Sequence, residues 1–187
     1  MANPLSQSAK QHIDAVIGFW RDAGPRRWFV KSATFDDEFR ARFLGHHEAA
    51  TQGKLNEWAV EASGALALAI LLDQFPRNAF RTTPRMYATD ALARQIATTA
   101  IAAGFDLRVP AELRLFFYLP FAHSEDLADQ NRSVELAASL GPEFMKHALE
   151  HRDIIARFGR FPHRNEILGR PTTEEERRFL DAGGFAG

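Results

Sequence analysis

The feature that most constrains the fold of this chain is a helical spacing of apolar residues that recurs along most of its length. Ile13, Val16, Ile17 and Trp20 show it clearly, because they occupy positions i, i+3, i+4 and i+7 and therefore fall on one face of an α-helix. Glycine and proline separate successive segments of this kind, as is typical of helix ends. No segment is a convincing strand, so the chain predicts an all-α protein of seven or eight helices.

Eight segments combine the helical pattern with signals for a helix start or end. The predicted helices cover residues 6 or 8 to 24, 34–50, 63–75, 89–103, 110–123, 124–140, 143–158 and 173–180. In the last of these, Thr173 and Glu176 have the spacing of a capping box. Gly159 is predicted to end the seventh helix, residues 143–158.

Individual polar and proline residues set several of the predicted boundaries. Thr34 is the predicted N-cap of the second helix, because Ser, Thr, Asp and Asn side chains accept hydrogen bonds from the first free amides. Pro76 is predicted to end the third helix, and Pro110 to open the fifth at its first position. Pro120 predicts a kink or an end within the fifth helix. Residues 77–87 are interpreted as a loop or a short turn of helix.

The length and the lack of any linker predict a single helical domain over residues 1–187. At about 150 residues per domain, the chain has the length of one domain. Short connections favour antiparallel helix pairs. The pattern alone does not distinguish a bundle from a superhelical stack, since neither a 34-residue period nor the W-x2-L-G-x2-Y signature of tetratricopeptide repeats is present.

Charge and hydropathy exclude several classes of function. The chain has 23 Lys and Arg residues and 24 Asp and Glu residues, so no overall field draws it to nucleic acid or to an anionic membrane. Its longest strongly apolar run, residues 65–72, is far shorter than the ~20 residues that span a bilayer. The N-terminal MANPLSQSAK lacks a basic-then-apolar signal. We expect a soluble cytoplasmic protein without nucleic-acid or membrane partners; a homo-oligomer is left open.

The first candidate segment is DQFPRN, residues 73–78, at the end of the apolar run ALALAILL. A carboxylate there faces the negative end of the helix dipole, so Asp73 needs a cation or several hydrogen-bond donors. Arg77 or Arg81 can supply the cation, which would make the segment structural. In the functional interpretation, Asp73 and Gln74 face a pocket and Arg77 reaches a ligand.

The second candidate segment, HSED, follows the most apolar of the predicted helices. His123 shares a helical stripe with Leu113 and Phe116, which predicts at least partial burial of its imidazole. A buried histidine most often binds a backbone carbonyl, and Glu125 and Asp126 are typical first-turn carboxylates of the next helix. The alternative is that these three polar side chains form a ligand-binding or acid–base cluster.

The third candidate segment, HRDIIARFGRFPHRN, spans residues 151–165 and is the most unusual part of the sequence. An apolar stripe carries His151 toward a helix interface, and charged or polar residues surround the turn at Gly159: Arg152, Asp153, Arg157, Arg160, His163, Arg164 and Asn165. Four guanidinium groups so close together suit the recognition of carboxylates or phosphates. A solvated basic face is the alternative, although the interleaved Phe158 and Phe161 favour packing of part of the segment.

Taken together, ASGALALAILLDQFPRN, YLPFAHSED and HRDIIARFGRFPHRN resemble the motifs of the bacterial family called domain of unknown function 924. The resemblance runs from about Ile17 to Glu175 and is most specific in the last motif. It implies an all-helical, tetratricopeptide-like superhelical fold and no known reaction. The polar motif positions of that family fall on Asp73, Gln74, Arg77, Asn78, His123, Glu125, Asp126, His151, Arg152, Asp153, Arg157, Arg160, His163, Arg164 and Asn165.

Two functional hypotheses follow from these positions. The leading one is a binding protein whose pocket, formed by the fifteen motif positions, accepts a small anionic molecule or a peptide segment. The alternative is a hydrolase in which His123, His151 or His163, together with Asp126 or Asp153, act as acid and base or bind a divalent metal. Because the chain has no cysteine, a metal site would use His, Asp and Glu ligands, and the weaker candidate set is His123, Asp126 and His151. Any cofactor is left unspecified, and the sequence does not establish an enzyme.

A third hypothesis gives the same residues a purely structural role. In it, Arg157, Arg160 and Arg164 form an internal ion network without a ligand, and their partners are Asp73, Glu125, Asp126 and Asp153. Such a network is weak evidence for stability, because desolvation offsets much of the attraction between the charges.

Overall fold

A computed structural model describes residues 4–186, and every regular element in that range is helical. The α-helices are α1 Gln7–Ala23, α2 Pro25–Trp28, α3 Ala33–Thr51, α4 Ala62–Ala69, α5 Phe75–Ala79, α6 Asp90–Ala102, α7 Leu115–Ala122, α8 Leu127–Ala137, α9 Pro142–Phe158 and α10 Glu174–Asp181. Short 3-10 turns cover Asn56–Val60, Pro84–Tyr87, Asp106–Arg108, Ala111–Leu113 and Pro162–Arg164. The all-α prediction is confirmed. None of these helices is long and apolar enough to cross a lipid bilayer.

The chain forms two compact units. The first unit comprises the residues up to Pro120, except Thr82–Pro84. Those three residues group with the residues from Phe121 onward in the second unit. In the first unit α1 packs on α4, α3 on α5, and α4 on α6, around an aromatic core of fully buried residues: Trp20, Phe35, Phe39, Phe75 and Phe116. The single domain predicted over residues 1–187 stays a prediction, and it includes residues 1–3 and 187, which lie outside the described range.

The second unit has a smaller apolar core. α8 packs on α9, and α10 packs on the 3-10 turn Pro162–Arg164. Buried Ile154, Ile155 and Phe161 form the centre of this core, and three further rings pack against it: Phe158, Phe179 and Phe185. Antiparallel pairing of the helices and a tetratricopeptide-like superhelix stay predictions.

Most of the predicted helix ends are confirmed. Ser6 caps α1 through the Ala9 amide, and Thr173 and Glu176 form the capping box of α10. Gly159 ends α9 in the left-handed conformation, which costs a glycine little because it has no Cβ. The predicted N-cap Thr34 is wrong, since the Ser32 hydroxyl accepts the hydrogen bond from the Phe35 amide at 3.4 Å.

The ends of the middle helices also differ from the predictions. Pro110 does not open α7 but precedes a separate 3-10 turn, and α7 begins only at Leu115. α7 ends at Ala122, two residues after Pro120. The predicted helix end near this proline is therefore confirmed. α8 starts after Asp126 and stops at Ala137, three residues before the predicted end.

Gly64 lies where the start of α4 touches another part of the backbone. A Cβ on Gly64 would overlap the carbonyl group of Trp58. Only glycine permits this close approach. The contact sets the position of the buried helix that leads into the first candidate segment.

The prediction that Pro76 ends the third helix is wrong. The chain passes from α4 through a π-helical turn, Ile70–Gln74, directly into α5. Within the turn, the Phe75 amide donates to the carbonyl of Ile70, five residues back. Pro76 has no backbone amide hydrogen to donate in an α-helix. Because the π turn is wider, the helix continues past this missing donor.

Side chains satisfy the carbonyl groups that the π turn leaves without their usual helical donors. The carbonyls of Leu71 and Leu72 accept hydrogen bonds from His47 Nδ1 and Thr89 Oγ1 at 2.9 and 2.5 Å. Arg77 Nη1 also donates to the Asp73 carbonyl, at 2.8 Å. Buried backbone carbonyls need such partners. Single-turn π segments often lie at functional sites, and this one carries the Asp73 and Gln74 side chains.

Candidate functional site

In the first unit, the DQFPRN segment forms a buried ion cluster that we call the Asp73 cluster: Asp73, Gln74, Arg77 and Asp90. The Arg77 guanidinium lies 3.2 Å from Asp73 Oδ1 and donates to both carboxylate oxygens of Asp90, at 2.8 and 3.0 Å. Gln74 Nε2 donates to Asp73 Oδ2 at 2.6 Å. The cation that Asp73 requires is therefore Arg77, one of the two predicted candidates.

The electrostatics of the Asp73 cluster favour its charged form. Burial alone would lower the pKa of Arg77, but the negative charges of Asp73 and Asp90 raise it above its usual value. One guanidinium thus compensates two buried carboxylates. Asp90 was missed by sequence reasoning, although its place in the first turn of α6 is a typical position for a carboxylate.

Arg81, the other predicted partner of Asp73, binds Asp36 instead. Its Nε and Nη2 donate to the two carboxylate oxygens at 2.5 and 3.1 Å, and Asn78 Nδ2 donates to the same carboxylate at 2.7 Å. Asn78 and Arg81 therefore tie the end of α5 to the first turns of α3. This contact explains the polar position at Asn78 without a ligand.

The second unit holds a continuous chain of hydrogen bonds that we call the arginine–carboxylate network. It consists of Glu125, Arg160, Asn165, Arg170 and Glu176. Arg170 donates to both oxygens of Glu125 at 2.6 and 3.0 Å, and its Nε donates to Asn165 Oδ1 at 3.0 Å. Asn165 Nδ2 lies 3.3 Å from Glu176, which Arg160 binds through Nε and Nη2 at 2.6 and 2.9 Å. The two positive and two negative charges balance.

The carboxylates of this network are held in their ionised form. Partial burial would raise the pKa of Glu125, but hydrogen bonds from Arg170 and the Phe161 amide lower it. The hydrogen bond from Arg160 is the largest influence on Glu176 and lowers its pKa to about 2, against the opposing effect of burial. Glu176 also accepts the Thr173 amide at 2.7 Å, so the same side chain caps α10 and binds Arg160.

The internal ion network predicted from the sequence has different partners in the structure. Arg160 pairs with Glu176 and Arg157 with Glu175, while Glu125 pairs with Arg170. Arg170 was missed because it follows the motif; its signal is Gly169, whose φ of 64° marks a tight turn. In that turn the Arg170 amide donates to the Asn165 carbonyl at 2.8 Å, which points the arginine back toward the motif.

A second feature of the same unit is a group of rings that we call the imidazole cluster: His151, Phe161, His163 and Phe185. The Phe185 ring meets His151 edge to face at a centroid distance of 4.5 Å and His163 at 5.1 Å. Phe161 lies 5.5 Å from His151 and 5.6 Å from His163. The two imidazoles therefore share the same two aromatic neighbours.

The ring nitrogens of the imidazole cluster lack the partners that buried polar atoms usually have. His151 Nδ1, His151 Nε2 and His163 Nδ1 are buried and have no hydrogen-bond partner among residues 4–186. Native structures satisfy most buried polar atoms, and an exception calls for an explanation such as water, an ion or a ligand. The prediction that an apolar stripe buries His151 identified this position, but Phe185 was missed.

The surroundings of the two imidazoles keep them neutral. Burial, as the largest cause, and then His123, His147, Arg164 and His163 together lower the pKa of His151 to about 3. Burial and then Arg164 lower the pKa of His163 to about 4, while Glu125 opposes the shift. At neutral pH each ring therefore has one nitrogen that donates and one that accepts.

Arg164 is buried beside the imidazole cluster. Its Nη2 donates to the His123 carbonyl at 3.0 Å, and its guanidinium lies 4.5 Å from the centre of the Phe161 ring. A cation over an aromatic face is stabilised by the ring quadrupole. Gln130 Nε2 fixes the same stretch of backbone through the carbonyls of Ala122 and Ser124, at 2.8 and 2.7 Å.

Three further motif positions, Asp126, Arg152 and Asp153, have partners close by in the sequence, and His123 is partly buried. Asp126 is the N-cap of α8 and accepts the amides of Ala128 and Asp129. Arg152 binds the neighbouring Asp153 at 2.7 Å. Within the described part of the chain, no group of three or more His, Asp and Glu side chains is arranged to hold a metal ion.

The fifteen motif positions divide between the two units. Asp73, Gln74, Arg77 and Asn78 belong to the first unit, and the positions from His123 to Asn165 belong to the second. Within the second unit, the structure brings together Glu125, Arg160 and Asn165 in one group and His151 and His163 in another. A pocket that includes the first-unit positions stays a prediction.

Comparison with known proteins agrees with the helical fold and with the motifs. The family described as bacterial protein of unknown function (DUF924) matches residues 16–184, and the chain belongs to this family. It is similar to the solved structure of protein of unknown function ATU0120 from Agrobacterium tumefaciens, with 52% sequence identity and a TM-score of 0.92 over 94% of this chain and 99% of that chain. No curated protein matches the chain significantly.

Proposed function

We propose that this protein binds a small anionic molecule in its second unit, at the imidazole cluster. The observation that carries the proposal is the set of three buried imidazole nitrogens, two on His151 and one on His163, without a hydrogen-bond partner in residues 4–186. A buried polar atom that lacks a partner costs about 1–3 kcal/mol. A ligand that supplies the partners recovers this free energy.

The charges around the imidazole cluster favour an anion. The positive charge of Arg164 lowers the pKa of both His151 and His163, and the positive charge of Arg170 lowers the pKa of His163. Glu125 is the one negative group among the influences on His163, and it is already bound to Arg170. A carboxylate or a phosphate group next to these rings would meet hydrogen-bond donors and a positive field together.

The other charged motif positions support the structural hypothesis for their own part of the molecule. The Asp73 cluster and the arginine–carboxylate network pair each carboxylate with a guanidinium, and a ligand would have to break those pairs. The hydrolase hypothesis has less support, because Asp126 caps α8 and Asp153 pairs with Arg152. We therefore restrict the binding proposal to the imidazole cluster.

The proposal is tested by a titration of the full chain with inorganic phosphate and, separately, with acetate. Side-chain NMR resonances of His151 and His163 are expected to shift with a saturable dependence on one or both anions. The His163 shift should disappear in His151→Phe, and both shifts should persist in Phe144→Ala, which alters an exposed residue of the same helix. If both anions leave the two imidazoles unchanged while the protein is folded, the proposal is wrong.

A further inference from the structure

The segment after α10 places Phe185 against the imidazole cluster through a glycine turn. The amide of Gly183 donates to the carbonyl of Leu180, and the amide of Gly184 to that of Phe179, both at 3.0 Å. These are the two hydrogen bonds of a Schellman motif. The φ of Gly183 is 81°, a conformation that glycine adopts without strain.

Gly184 has no room for a side chain. A Cβ at this position would lie 2.5 Å from Phe179 Cζ and 2.6 Å from the Phe179 carbonyl oxygen. The turn therefore depends on glycine, and it directs Phe185 toward His151 and His163. Because Phe185 follows the turn directly, a small change at Gly184 moves the phenyl ring away from the histidines.

The chemistry of Phe185 matches only part of its surroundings. Its ring meets both imidazoles edge to face, an arrangement that aromatic rings prefer. A phenyl group has no hydrogen-bonding atom, so it leaves the buried nitrogens of His151 and His163 with at most weak contacts to its π face. The position of Phe185 therefore holds an aromatic ring next to imidazole nitrogens that have no hydrogen-bond partner in residues 4–186.

We propose that Phe185 occupies the aromatic half of a binding site, and that the ligand is a small molecule with an aromatic ring next to a carboxylate or phosphate group. This inference rests on the proposed anion-binding function. The ligand ring takes the place of the Phe185 ring between His151 and His163, and its anionic group accepts hydrogen bonds from the protonated imidazole nitrogens. The phenyl ring of the chain swings out on the turn at Gly183 and Gly184.

Competition between Phe185 and the ligand gives a measurable signature. Phe185 is partly buried, and removing its phenyl group removes a competitor whose burial is equivalent to a factor of about ten to one hundred in a binding constant. Phe185→Ala is therefore expected to bind phenyl phosphate or benzoate about ten- to one-hundredfold more tightly than the unaltered chain. The affinity for inorganic phosphate, which has no ring to place there, should change much less.

The experiment compares three full-length variants with the unaltered chain, each titrated with phenyl phosphate, benzoate and inorganic phosphate and followed through the His151 and His163 resonances. Gly184→Ala retains the phenyl ring but disrupts the turn, so it should raise the affinity for the aryl anions as Phe185→Ala does. Phe144→Ala, at an exposed position on α9, is the matched control and should leave all affinities unchanged. The two aryl anions separate a preference for phosphate from one for carboxylate.

Two outcomes are distinguishable failures. If inorganic phosphate or acetate binds but Phe185→Ala and Gly184→Ala leave the aryl-anion affinity unchanged or lower it, Phe185 is not a competitor and this inference is wrong while the proposed function stands. If no anion shifts the histidine resonances of any folded variant, the proposed function fails as well.

Discussion

The Asp73 cluster of the first unit and the imidazole cluster of the second are both buried groups of polar motif residues, yet they differ in how their atoms are satisfied. Arg77 binds both Asp73 and Asp90, and the carbonyls of the adjoining π turn are bound by side chains. In the imidazole cluster, nitrogens of His151 and His163 face aromatic rings.

This difference separates two uses of a buried polar residue. A charged group whose partners lie in the same unit fixes the local geometry, and its removal leaves the partner charge uncompensated. A neutral ring with free hydrogen-bonding atoms keeps capacity for an additional partner. The comparison therefore supports a structural role for Asp73 and agrees with the binding role proposed for His151, and the two roles can be tested separately.

The largest expected effect is the loss of stability on replacing Arg77, the cation bound to Asp73. Arg77→Ala leaves the buried carboxylates of Asp73 and Asp90 without this cation, so the free energy of unfolding should fall by about 3–5 kcal/mol. Urea denaturation measures this change. Asp37→Ala, an exposed position on α3, should change it by less than about 0.5 kcal/mol. Equal effects of the two variants would contradict the structural assignment.

The second prediction concerns the ionised carboxylate of Glu176, which is only 2% exposed. Glu176→Gln removes the charge that Arg160 binds and should lower the free energy of unfolding by roughly 2 kcal/mol near neutral pH. The pKa of Glu176 is lowered to about 2, so this stabilisation is present above the unfolded-state value and is lost as pH falls toward 2. The difference between variant and unaltered chain should narrow accordingly.

Denaturation of Glu176→Gln at neutral pH and at about pH 3 checks the sign of this dependence. Glu175→Gln is the matched control, because the Glu175 carboxylate is adjacent in sequence and pairs with Arg157 at the surface. A difference that grows as pH falls would show that Glu176 is not ionised in the folded protein.

The sequence predicts local structure well where a single residue decides it. The capping box of Thr173 and Glu176 and the glycine stop at Gly159 follow from chemistry within one turn, and Ser6 is one of the two predicted starts of α1. The predicted N-cap Thr34 shows that a neighbouring serine can take the same role. Pro76 shows the limit of this reasoning. Its effect depends on His47 and Thr89, which bind the carbonyls of the π turn from distant parts of the chain.

The candidate site shows the same limit. The sequence identifies Asp73 as needing a cation and His151 as entering a helix interface, because both conclusions come from position along one helix. It does not identify Arg170 as the partner of Glu125 or Phe185 as the cover of His151. Both lie outside the motifs, and their contacts depend on glycine turns at Gly169 and Gly184 that redirect the chain.

The third prediction is a pH dependence of stability that arises from His151. Its pKa is about 3 in the folded chain, below the ordinary value of about 6.5, so the unfolded chain binds a proton that the folded chain does not. The contribution of neutral His151 to the free energy of unfolding is therefore fully present above pH ~6.5. It falls by roughly 1 kcal/mol per pH unit as the pH decreases toward 4. His151→Leu should flatten this slope by about that amount.

The groups that face His151 set the direction of this effect: His123, His147, His163 and Arg164 all disfavour its protonation. Side-chain NMR of the unaltered chain at about pH 5 should therefore show His151 and His163 neutral. An imidazolium signal from either residue at that pH would contradict the description of the cluster as buried.

The smallest expected effect distinguishes two arginines of one motif. Arg157 pairs with Glu175 at 2.9 Å, but the two side chains are 54% and 62% exposed, so Arg157→Ala should change the free energy of unfolding by no more than about 0.5 kcal/mol. Added salt should reduce even this difference. Arg160→Ala, three residues along, leaves buried Glu176 without its cation and should cost several times more. Comparable losses for the two variants, measured in the same urea series, would mean that burial of the partner carboxylate does not govern the strength of these ion pairs.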